Sequence, residues 1–70
     1  MPFDIRQLRY AIAAADHGSF YRAARALDVE QSTLSRSIIR LERMIGAKLF
    51  DRSRSGVRTT IAGARFIRGA

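Results

Sequence analysis

Cysteine is absent from the 70 residues, and histidine occurs once, as His17. No disulfide or thiolate metal site can therefore staple the chain, and a lone histidine forms no ligand cluster, so neither a metal nor a cofactor is expected. No apolar run approaches the roughly 20 residues needed to span a bilayer, so no membrane partner is expected. The opening Met1-Pro2-Phe3-Asp4 lacks the basic stretch and apolar run of a secretory leader. The setting these absences imply is cytoplasmic and reducing. Internal repeats, low-complexity tracts and long linkers are missing too. A chain this short is one small domain that buries only roughly 60% of the surface its unfolded form exposes. It is too short to enclose a substrate. Asp16-His17 with scattered serines is no catalytic triad, because neighbours in sequence do not supply that geometry. Gly46, Gly56, Gly63 and Gly69 are not in a phosphate-loop spacing. An enzyme is not expected.

What the chain does have is apolar content of 47%, ordinary for a globular domain, and a net charge of +7. All the basic residues but Lys48 are arginine, whose rigid donor fork suits phosphate and guanine. Residues 1–35 balance Arg6, Arg9, Arg22 and Arg25 against Asp4, Asp16, Asp28 and Glu30, whereas residues 36–70 carry the whole excess. A neutral half followed by a basic half suggests a polyanion-binding surface. The alternative is a soluble domain with a solvated basic face.

The periodicity predicts four helices and a wing. Asp4 and Gln7 form a capping-box pair ahead of a first helix. Its expected buried face is Ile5, Leu8, Ile12 and Ala15, spaced by three and four, and His17-Gly18 ends it. Ser19 caps a second helix with the stripe Phe20, Ala23, Ala24 and Leu27, followed by a short turn in which Val29 tucks inward. A third helix runs from about Gln31 to Ile45, burying Leu34, Ile38, Leu41 and Ile45. At about 100° per residue, Ser32, Arg36 and Arg43 point the opposite way, with Arg40 beside them. Leu49 and Phe50 close the core. Residues 51–58 read as a two-stranded wing, and Thr60 caps a final helix through Ile61, Ala64, Phe66 and Ile67. The class is mainly α, a winged helix-turn-helix: a three-helix core, a short wing and the start of a linker helix. A short helix, a tight turn and a longer helix form the arrangement in which the second helix enters a major groove.

The motifs Leu8-Arg9-Tyr10, Gly18-Ser19-Phe20, Ala23-Ala24-Arg25-Ala26-Leu27 and Val29 to Arg36 come in a fixed order. Ile38, Leu41-Glu42, Ile45-Gly46, Leu49-Phe50, Arg52 and Thr60-Ile61-Ala62-Gly63 follow. In these the chain resembles the N-terminal DNA-binding domain of LysR-type transcriptional regulators, from about Ile5 to Gly63. The resemblance implies a bacterial repressor or activator that binds double-stranded DNA as a homodimer, or as a tetramer at full length. It implies residues 1–59 as the DNA-binding domain and 60–70 as the start of a linker helix that pairs subunits. A small-molecule inducer would belong to a C-terminal domain outside this chain. Four positions depart from the family's habit. Glu30 stands where serine is common, Ile39 where a polar residue is usual, and Ile61 where an acid is usual. The wing arginine, Arg54, comes one residue before its common place at Ser55.

The candidate DNA-contacting residues follow. Gln31, Ser32, Ser35 and Arg36 open the third helix; glutamine suits adenine, arginine suits guanine, and serine suits several partners. Thr33 is a phosphate contact or a packing residue. Arg40 and Arg43 sit farther along and approach phosphates or water. In the wing, Arg54 suits a narrow minor groove or a phosphate. Arg58 belongs to the same set, and so does Arg52, unless Arg52 pairs with a helix carboxylate to hold the wing. Ser19 is a cap first, though its hydroxyl and the neighbouring Tyr21 and Arg22 can meet the DNA backbone. Ile39 projects partly outward, toward a thymine methyl, a neighbouring subunit or nothing. Two other classes stay open: a small basic interaction protein without sequence preference, and a helix-turn-helix segment of a recombinase.

Overall fold

The computed structural model describes residues 4–69, in the order α1 (Ile5–His17), α2 (Phe20–Leu27), α3 (Gln31–Ile45), β1 (Phe50–Ser53), β2 (Gly56–Thr59) and α4 (Ile61–Gly69). Met1–Phe3 and Ala70, the outer ends of the two expected segments, lie outside the described residues.

Local chemistry sets most of the boundaries. The Asp4 carboxylate accepts from the Gln7 backbone N–H at 3.0 Å, and the Gln7 side chain accepts from the Asp4 N–H at 3.1 Å. This is the reciprocal pairing expected of a capping box. Ser19 Oγ accepts from the Arg22 N–H at 3.1 Å and starts α2. Glu30 sits in the cap position of α3 with extended backbone but makes no side-chain cap bond. Asp28 turns α2 into α3 in the left-handed region, at φ 58°. Thr60 Oγ1 accepts from the Gly63 N–H at 3.0 Å and donates to the Lys48 carbonyl at 2.6 Å, so one hydroxyl caps α4 and ties it to the chain entering β1.

The core gathers Tyr10, Ala11, Ala13 and Ala14 of α1, Phe20, Ala23 and Ala24 of α2, and Leu34, Ile38 and Leu41 of α3, closed by Leu49 and Phe50. Two expected faces are corrected. On α1 the buried face is the tyrosine–alanine one; Ile5 is 71% exposed, and Leu8, Ile12 and Ala15 are only half-buried. The reason is close approach: α1 packs most extensively on α2, and the wholly buried Ala11, Ala14 and Ala23 let the two backbones come near. On α3, Ile45 lies past the end of the packed stripe and is 39% exposed.

The wing is a two-stranded antiparallel ribbon in which Phe50 pairs with Thr59 and Arg52 with Val57. It is pinned at both ends. The Val57 N–H donates to the Gly18 carbonyl, and the Thr60 N–H donates to the Leu49 carbonyl, each at 3.0 Å. Gly56, at φ 135°, passes so near the Gly18 carbonyl that a Cβ there would collide with it. Gly63 likewise lies against the Leu49 carbonyl group, so α4 meets the chain just ahead of β1 backbone to backbone.

Candidate nucleic-acid interface

Because α3 buries Leu34, Ile38 and Leu41, its remaining circumference is presented outward. Gln31, Ser32, Thr33, Arg36, Arg40 and Arg43 are all exposed, and Ser35 and Ile39 are half-buried. The outward set foreseen from the sequence is therefore on one continuous face. Its two edges differ.

The wing-side edge carries a depression bordered by Ser19, Tyr21, Gln31, Arg52 and Arg54. Residues from α2, α3 and the wing that are far apart in sequence thus surround one concave surface. Arg52 adds side-chain links from the wing to α2 and α3. Its Nη2 donates to Ser35 Oγ at 3.3 Å, and its guanidinium lies 4.8 Å from the centre of the Phe20 ring, a cation–π distance. Phe20 in turn meets Phe50 edge to face, with centroids 5.7 Å apart and planes at 83°. In place of the helix carboxylate that was one alternative for Arg52, its partners are a hydroxyl and an aromatic face, with Ser35 accepting its hydrogen bond. Tyr21 accepts a hydrogen bond from Arg25 Nη1 at 3.2 Å, a pairing of neighbouring helical turns that leaves the ring exposed. Arg22 is exposed beside it. Arg54 is at the wing tip, in the turn between the strands. Arg58 is opposite Asp51 in the ladder, on the face of the ribbon away from Arg52, so it does not join this depression. Ile39 and Arg43 border a separate open depression shared with Lys48 and Arg52.

One residue important to this geometry was not singled out from the sequence. Glu42 Oε2 accepts from the N–H groups of Leu49 and Phe50, at 2.7 and 3.3 Å. Both residues are buried, so this carboxylate satisfies two amides at the entry to the ladder, that of Leu49 just before it and that of Phe50 in its first pair. It fixes the start of β1 against α3. The available signal was a carboxylate on the wing edge of α3, a turn before a glycine stop and an apolar pair.

The family model described as bacterial regulatory helix-turn-helix protein, lysR family, matches residues 5–64. The chain belongs to the lysR family. Among its relatives, the transcriptional regulator TfdT of Cupriavidus pinatubonensis is 48% identical over 64 residues, covering 91% of this chain and 28% of TfdT. The small neutral protease regulatory protein of Streptomyces coelicolor is 48% identical over 63 residues, covering 90% and 19%. Among solved structures, the DNA-binding domain of CbnR in complex with DNA superposes with a TM-score of 0.93 at 37% identity, over 96% of this chain and 77% of that one. The DNA-binding domain of BenM in complex with a catB site gives 0.92 at 37% identity, over 96% and 75%. The lysR-type chain thus spans only 28% and 19% of the length of these two curated relatives. The mainly helical winged helix-turn-helix class expected from the pattern is the fold found.

Proposed function

We propose that this chain is the sequence-specific double-stranded-DNA-binding module of a bacterial transcription regulator, with α3 in the major groove and the wing, residues 51–58, at the minor groove or backbone. The observation that carries this reading is the uncovered outer face of α3, with Ser32 and Arg36 at its centre and a wing pinned alongside it. The similarity to DNA-binding domains solved in complex with DNA supports double-stranded DNA as the partner. The relatives are named as regulators, and in this reading the chain acts by binding rather than catalysis.

Within it, Arg36, Gln31 and Ser32 read base edges. Ser35 contributes chiefly by orienting Arg52. Arg54 at the wing tip enters the minor groove or meets a phosphate, and Arg43 and Arg58 add phosphate contacts. Ser19, Tyr21 and Arg22 at the start of α2 approach the backbone on the wing side. Residues 1–59 form the DNA-binding domain. The segment 60–70 opens a linker helix through which the whole regulator is a homodimer, assembling to a tetramer at full length. Its inducer binds a C-terminal domain outside this chain, and the regulator works in the cytoplasm. No described helix is long and apolar enough to cross a membrane.

The competing reading is a basic domain that binds polyanions without preference. A titration of selected and random duplexes at one fixed salt concentration separates the two. Sequence-specific modules bind their site on the order of 10³-fold or more tighter than random DNA; a ratio near one would refute the proposal.

A further inference from the structure

The edge of α3 away from the wing also carries a concave surface, between α3 and the N-terminal turns of α1. Arg6 of α1 and Thr33, Arg36, Ser37 and Arg40 of α3 line it, with Asp4 at one end. Three arginines thus border one groove. None has a hydrogen-bond or ion-pair partner among the described residues. Asp4, the one acid in the groove, is directed at the α1 backbone through its bond to the Gln7 N–H. The groove has positive excess, and no group among the described residues answers its arginine donors.

Its position gives it an occupant. An α-helix with its side chains is about 10–12 Å across, and the major groove of B-DNA is about 12 Å wide. A helix lying in that groove therefore meets a wall of phosphates on each flank. The wing flank has the depression between Ser19 and Arg54; the opposite flank has this one. We infer that the groove between α1 and α3 is a second backbone clamp, in which Arg6 and Arg40, with the Thr33 and Ser37 hydroxyls, hold a phosphodiester of the strand opposite the wing. Thr33 is then a phosphate contact rather than a packing residue. Arg36, on the rim, bridges this clamp and the base edges. The inference rests on α3 entering the major groove and adds Arg6, on an element outside the helix-turn-helix pair, to the contacts.

The test uses the chain as it stands, a duplex enriched from a random pool, and a salt series. Each neutralised phosphate contributes about 0.9 to the slope of log affinity against log salt. Arg6→Ala is expected to lower that slope by up to about 0.9, because Arg40 stays on the same phosphodiester, and to weaken selected and random duplexes by the same factor, whereas Arg6→Lys restores most of it. Arg9→Ala, which removes the same charge from an exposed α1 position that does not line the groove, is expected to keep the wild-type slope. Duplexes with single neutral methylphosphonate linkages then locate the contact. At one linkage flanking the half-site, neutralisation should cost the wild type affinity, cost Arg6→Ala clearly less, and cost a chain carrying both Arg6→Ala and Arg40→Ala little further. A slope unchanged in Arg6→Ala, or losses that simply add at every linkage, would overturn the clamp while leaving the wild-type preference for its site intact. A wild-type chain without that preference would overturn both the clamp and the major-groove reading.

Discussion

Replacing Glu42 is the sharpest probe of how the interface is held together. Its carboxylate accepts from two amides, those of Leu49 and Phe50, whose residues are only 0% and 2% exposed. Glu42→Ala leaves both donors unanswered, and an unsatisfied buried donor costs about 1–3 kcal/mol. Glu42 is itself half-buried and borders an open depression, so water can reach one of the two amides. The expected loss is therefore about 2–4 kcal/mol. At roughly 0.05–0.15 kcal/mol per residue, a chain of this size has on the order of 4–10 kcal/mol to lose. Glu42→Gln keeps an oxygen in place and gives up only the charge assistance, so its cost should be about 1 kcal/mol. Urea unfolding followed by circular dichroism measures both, with an unchanged m-value confirming that the same surface is exposed. An alanine variant within about 0.5 kcal/mol of wild type, the usual scatter of surface substitutions, would show that the carboxylate does not hold the start of β1.

Three other substitutions test separate parts of the account. Arg36→Ala should weaken binding to the selected duplex by about 1–3 kcal/mol and relax preference at one base pair; equal losses on selected and random duplexes in a titration would refute a base-reading role. Arg54→Ala should mainly remove preference for A·T-rich flanks, where a narrow minor groove attracts arginine, and an unchanged footprint on flank-swapped duplexes would exclude that placement. Glu30→Ser supplies the cap bond that α3 lacks and should raise stability by roughly 0.5–1 kcal/mol; chemical denaturation showing no gain would mean the α3 N-terminus is satisfied in another way.

The elements were legible where local chemistry decides them. The capping box at Asp4 and Gln7, the caps at Ser19 and Thr60, and the stripe of α3 through Leu41 all stand where the pattern puts them. What escaped the sequence was set by contacts between elements. In α1 the large aliphatic residues give the stronger periodicity, but the helix-to-helix distance selects the alanines, and Ile5 is left outside. The partner of Arg52 depends on where Phe20 and Ser35 fall after three elements have packed, which no spacing encodes. The same holds for Glu42, which looks like one more surface acid until β1 turns back on α3. Arg6 is a further case, since only the crossing of α1 over α3 brings it beside Arg36 and Arg40.

The central claim is that α3 reads a sequence. Enrichment of bound duplexes from a random pool tests it most directly. The account predicts a short enriched half-site, recurring in pairs related by two-fold symmetry. A bound pool with the base composition of the input, and no recurring motif, would contradict it.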